Sequence, residues 1–286
     1  MPPHYLQRKY IDLIRQVSSK WVNWDPPIPV EVGAYGEVEY ETGELRVDGN
    51  IYDPEFQQEL NKLNLAILMA DHPPQEGGVE EDFIISSKGA KRVDLNLGPE
   101  VGVAGFATAS IKGQWQFERG KRDALLIMYC PRLRYLPRNV ILDTLYKVPK
   151  LKDKWLVTSI HICPAFSMYL SNKSGEKVSL ALAGQVPVAA AAGVTAGAEA
   201  GLGWWADTHA DLLRKACDKA GNYCYTPLYT MKRRIGWAQR LFRQDEEEPA
   251  TGDNLWDDAI PPWDPLNEDG EEDSLEVQTT EDADEF

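Results

Sequence analysis

Cysteine is scarce and ungrouped in this chain: Cys130, Cys163, Cys217 and Cys224 stand at irregular spacings, with no CxxC pair. That excludes a disulfide framework or a zinc cage legible from spacing and fits reduced thiols of the cytosol. Phosphate-cradling loops are missing, since neither GxxxxGK[ST] nor GxGxxG occurs between a strand and a helix. Gly193, Gly197, Gly201 and Gly203 lack the lysine and flanking elements of such a loop and read as a packed or flexible glycine stretch. There is no GxSxG elbow for a nucleophilic serine and no internal repeat of about 20 to 50 residues. The opening MPPHYLQRKYIDLIRQ has no apolar h-region, so secretion by that route is not expected.

Long apolar runs are also wanting. Val178 to Ala198 is uncharged, but Ser, Gly, Gln, Pro and Thr interrupt it and Ala fills much of the rest, too weak a hydropathy for a helical span. Val178, Leu180, Leu182, Val186 and Val188 instead recur with period two, which predicts strand. His161 and Cys163 share one strand face but supply only two ligands with no sequence partner, so neither metal nor thiolate chemistry is expected of them. No cofactor or catalytic constellation is written in the chain, and the expectation is a protein that is not an enzyme.

Charge is what the sequence has, and it is segregated. Of the 286 residues, Gln244 to Phe286 hold 18 Asp and Glu and no Lys or Arg. Residues 1–243 keep 30 basic and 27 acidic groups, too small an excess for a phosphate reader, and no nucleic-acid-binding signature appears. The acidic run is broken only by an apolar knot, Trp256, Ile260, Trp263 and Leu266, set among Pro261, Pro262 and Pro265.

Periodicity predicts helices over 4–22, 54–69, 133–146 and 209–220, the first amphipathic and basic. It predicts β-structure over 30–52, 83–129 and 223–231, with a loop at 72–81. A long hairpin is expected from Trp155–Leu170 and Glu176–Val188, turning at Asn172-Lys173-Ser174-Gly175. Tilted strands of about 9 to 11 residues can cross a bilayer when their backbones pair in a closed sheet. Both arms are long enough for that, though an ordinary sandwich would show the same alternation.

The order of parts carries a resemblance. A basic first helix, the stretch RVDLNLGPEVGVAGFATASIKGQWQF, an intervening helix, the stretch KDKWLVTSIHICPAFSMYLSNKSGEKVSLALAGQVPVAAAAGVTAGAEAGLGWW and a closing CYTPLYTMKRR strand follow one another. From Tyr5 to Arg234 this resembles the pore-forming N-terminal domain of gasdermins, most of all the fungal gasdermin-like proteins of heterokaryon incompatibility. The resemblance implies an α+β fold: a twisted antiparallel sheet with flanking helices and two long extendable β-hairpins over residues 1–235, followed by an acidic, largely disordered inhibitory tail over 236–286. It implies a cytoplasmic precursor that a protease cuts, and a freed fragment that binds acidic phospholipid at the cell membrane, homo-oligomerises and forms a lytic β-barrel pore. The short tail departs from the mammalian pattern, whose inhibitory part is a helical domain.

Charge arithmetic gives the same switch a separate rationale, because an anionic leaflet attracts each nearby Lys or Arg by about 1 kcal/mol and repels the tail. Candidate lipid contacts are Arg8, Lys9 and Arg15 on the first helix, Lys147, Lys150, Lys152 and Lys154 beside the second hairpin, and Lys232, Arg233 and Arg234. The apolar knot is expected to cover an apolar face of the body. The cut is expected between Gly236 and Ala250, at Phe242–Arg243, and the comparison suggests a subtilisin-like protease. The rival reading is a soluble α+β module that binds a protein partner through its acidic, Trp-bearing tail; an enzyme with a dispersed site is a further alternative.

Overall fold

The computed structural model describes residues 4–65, 67–81, 83–93, 111–182, 187–191, 206–208, 211–235 and 255–267. In chain order the elements begin with α1 (His4–Ser18), β1 (Trp21–Val22), β2 (Ala34–Val38), β3 (Leu45–Asn50) and α2 (Pro54–Lys62). Next come β4 (Gln75–Val79), β5 (Phe83–Ser86), β6 (Lys91–Val93), β7 (Ile111–Gln116), β8 (Ala124–Tyr129), β9 (Arg132–Tyr135) and α3 (Arg138–Leu145). Then follow β10 (Trp155–Cys163), β11 (Ala165–Leu170), β12 (Lys177–Leu182) and β13 (Pro187–Ala191). The chain closes with β14 (Ala206–Thr208), β15 (Asp211–Cys217), β16 (Tyr225–Arg234) and β17 (Trp256–Asp258).

Among the described residues the strands form three antiparallel sheets, and three α-helices accompany them, an α+β fold. Sheet A runs β1-β16-β10-β2-β3, with β17 on β16, β9 on β10 and β4 on β9. Sheet B runs β14-β15-β11-β8-β5 and sheet C runs β13-β12-β7-β6. The middle layer is sheet B. Alternation along β8 sends Ala124, Leu126 and Met128 into a core shared with sheet A and α1, and Leu125 and Ile127 into a smaller core shared with Trp115, Val178 and Leu180 of sheet C.

Several sequence expectations are corrected here. The expected long arm Trp155–Leu170 is broken at Pro164, which has no N–H to give a ladder, and the chain passes from sheet A in β10 to sheet B in β11. Accordingly β11 pairs with β8 and β15, and β12 pairs with β13. The expected helix over 209–220 contains strand β15, because ladders with β11 and β14 override its polar composition. Leu133–Tyr135 is strand and α3 starts only after Pro137. The first helix stops at Ser18, before strand β1. The second stops at Lys62, where Asn64 takes φ +54° and the Leu65 amide returns to the Leu60 carbonyl. The expected loop at 72–81 contributes β4.

Gly36 permits the β2–β3 irregularity beside Tyr35, since a Cβ there would sit 1.9 Å from the Arg46 carbonyl oxygen. Gly36→Ala is expected to destabilise the fold by about 3 kcal/mol, the upper range for overpacking. An unchanged denaturant midpoint would mean that β3 yields freely.

Candidate functional site

The site begins with α1. Its polar residues Arg8, Lys9 and Asp12 are as buried as its apolar Leu6, Ile11 and Ile14. A helix buried around its whole girth over 6–12 must find partners for the charges it carries there. Sheets A and B supply the apolar contacts, and the Tyr10 hydroxyl donates to the Leu125 carbonyl at 2.8 Å. The remaining side is closed by residues 255–267 of the acidic tail.

This segment enters as β17, antiparallel to the end of β16 with Lys232 opposite Asp258, Arg233 opposite Asp257 and Arg234 opposite Trp256. The Ile235 amide donates to the Leu255 carbonyl at 3.0 Å and the Ala259 amide to the Met231 carbonyl at 2.9 Å. Trp256 is 2 % exposed and its indole N–H reaches the Leu142 carbonyl of α3 at 3.1 Å. Trp263 is 7 % exposed, edge-on to Trp21 and Tyr40 with centroids 6.1 and 5.8 Å away. Gly43, at φ +77°, leaves the room: a Cβ there would stand 3.4 Å from the Trp263 ring. Leu266 is buried as well, whereas Ile260 is 74 % exposed and covers nothing, which corrects its place in the expected knot.

Tail carbonyls receive the helix cations. Arg8 Nη2 donates to the Asp264 carbonyl at 2.9 Å, Lys9 Nζ to that of Leu266 at 2.6 Å, and Arg15 Nη2 to that of Ala259 at 3.0 Å. The Arg8 guanidinium also lies 4.7 Å from the Trp263 centroid. Between these cations Asp12 accepts the Trp263 indole N–H at 3.0 Å and the Leu266 amide at 3.3 Å. Burial raises the Asp12 pKa, while those two hydrogen bonds and the charges of Arg8 and Lys9 pull it back. Burial likewise lowers the Arg15 pKa.

The other basic candidates are dispersed around this seam. Lys232 faces the tail's Asp258 at 3.8 Å, Arg233 pairs with Asp153 at 3.7 Å, and Arg234 donates to the Val148 carbonyl at 3.1 Å. Lys154 is held by Glu37 and Asp48. Lys147, Lys150 and Lys152 are exposed, Lys150 with its ammonium 5.4 Å from the Tyr35 ring. The expected cut at Phe242–Arg243 lies outside the described residues.

Sequence reasoning missed Asp12 and Tyr40. The signal for Asp12 was present, since it is the lone acid of a basic helix. His161 is buried, stacked on Phe83 at 5.7 Å, and its Nδ1 has no hydrogen-bond partner. Burial drops its pKa from 6.5 to about 4 and pushes the buried Cys163 thiol well up, so neither is poised as base or nucleophile. Between 6.5 and about 4 the unfolded chain binds the proton that folded His161 refuses. Stability is therefore lost as pH falls through that window, by at most about 3 kcal/mol. His161→Phe is expected to flatten the upper part of that slope, above the carboxylate range, in urea unfolding; an equal slope would assign it to other groups.

Among the described residues no helix is long and apolar enough to cross a membrane. Comparison of the chain with protein-family models, curated proteins and solved structures finds no match.

Proposed function

We propose that this protein is the autoinhibited precursor of a gasdermin-like membrane pore former, and that residues 255–267 are its inhibitory plug. The observation that carries the reading is the seating of the tail on α1, where backbone carbonyls of Asp264, Leu266 and Ala259 occupy Arg8, Lys9 and Arg15. These are the cations that charge arithmetic assigns to an anionic leaflet. A tail that holds them must leave before lipid headgroups can reach them, so proteolysis upstream of Leu255 becomes a gate.

The two hairpins support the same reading by their storage. Hairpin β6–β7 and hairpin β12–β13 lie side by side in sheet C, bound to the body through the smaller of the two cores. After release they are the segments that extend, and β6 and β13 are the outer strands through which copies join into a closed ring. The partner-binding rival fits less well, because the tail's Trp256 and Trp263 are buried against the chain itself.

The test uses the full-length protein with a sequence-specific protease site placed between Gly236 and Asn254. Cutting it on liposomes that contain phosphatidylserine is expected to release an entrapped dye, with little release from uncut protein or from neutral liposomes. Complete cutting without release, with the body still folded by circular dichroism, would sink the proposal.

A further inference from the structure

Sheet C is stored with its outer strands out of phase. Its inner strands agree: Trp115 stands opposite Val178 and Gly113 opposite Leu180, and Trp115, Val178 and Leu180 are buried in the core shared with sheet B. Gly113 is required there, since a Cβ would come 2.4 Å from the Trp115 ring. On the opposite face of β7, Gln114 and Gln116 are partly exposed.

The outer strands break this agreement. Arg92 of β6 is opposite Trp115, in the apolar row, while Val93 is opposite Gln114, in the polar row. The sequence carries the same alternation onward as Val93, Leu95 and Leu97. On the other edge, Val188 of β13 is opposite Ala181, which is itself opposite Lys112, while Ala189 is opposite Leu180 and Ala191 opposite Val178. Each outer strand thus places its alternating valine in the polar row.

A barrel wall needs apolar residues on one face of every strand, and an arginine on the lipid face costs about 2 to 4 kcal/mol near the midplane. A shift of one residue in pairing moves a whole strand's side chains to the other face. We propose that β6 and β13 are stored one residue out of register, and that each slips by one residue against β7 and β12 when the released body enters a membrane. This rests on the pore reading above. In the stored register Arg92 interrupts the apolar row of sheet C at its β6 edge, a second barrier to insertion that is independent of the tail.

Cross-strand cysteine pairs read the register directly. They are placed in full-length protein that carries the inserted protease site, with Cys130, Cys217 and Cys224 replaced by serine and the buried Cys163 retained. Val93→Cys with Gln114→Cys, and Ser179→Cys with Ala190→Cys, join positions opposite each other in the stored register. Oxidation with diamide before cutting is expected to cross-link both pairs and to lower dye release at least tenfold, with recovery in dithiothreitol. Arg92→Cys paired with Gln114→Cys or with Gln116→Cys is expected to remain uncross-linked in uncut protein, with one pair becoming linked after cutting on liposomes. Undiminished release from the oxidised stored-register proteins overturns the slip and leaves the pore reading standing. Absence of release from the reduced, cut proteins and from the cut parent overturns the pore reading and the slip with it.

Discussion

Full-length protein carrying Trp263→Ala is expected to permeabilise phosphatidylserine liposomes without any protease. Trp263 is buried, edge-on to Trp21 and Tyr40, and its indole N–H donates to Asp12 of α1. Truncating a buried tryptophan costs about 3 to 5 kcal/mol. If that loss falls on docking alone, the undocked population rises by about two to three and a half orders of magnitude at about 1.4 kcal/mol per tenfold. Amide hydrogen exchange over 255–267 measures the undocking and dye release measures its consequence. Rapid exchange over that segment with silent liposomes would show that the tail is not the brake. Ile260→Ala is the matched control, because Ile260 is exposed, and is expected to change neither quantity.

The second large effect runs in opposite directions in the two states. Replacing Arg8, Lys9 and Arg15 together by glutamine removes three cation contacts to tail carbonyls, so exchange over 255–267 should accelerate in uncut protein. In cut protein the same change should weaken binding to anionic liposomes by about two orders of magnitude, at about 1 kcal/mol per charge. High salt should reduce the difference between parent and variant in liposome binding, since screening weakens exposed charge interactions. Equal liposome affinity for parent and variant would place the membrane face elsewhere. Lys147, Lys150 and Lys152, which are exposed, would then be the first positions to change.

The parts legible in the sequence were those with a clean local signal. The basic amphipathic helix, the period-two stretches and the aromatic knot in an acidic tail all have counterparts in the fold. What misled was tertiary pairing. Asp211–Cys217 has the composition of a polar helix, and only its neighbours β11 and β14 make it a strand. Trp155–Leu170 reads as one continuous strand because alternation runs through Pro164, yet the chain changes sheets there. The candidate site was half visible. The cations and the tryptophans could each be singled out, but their meeting depends on a contact some 250 residues apart in sequence, as between Asp12 and Trp263. Asp12 reads as a defect in a basic helix until the indole that it receives is in view.

The tail is joined to the body by a strand ladder, buried side chains and ion–carbonyl contacts, and none of these is severed by a cut upstream of Leu255. What the cut destroys is the tether. On the pore reading, the plug of uncut protein rebinds from an effective concentration of about millimolar order, the scale set by a short tether. After the cut, a departed plug is diluted into the surrounding volume and returns only as its bulk concentration allows. On that reading the nicked protein is expected to behave as a timer whose delay is set by how slowly the plug leaves. At a given cutting rate, sparse molecules are then expected to stay released longer than crowded ones, whose plugs return sooner.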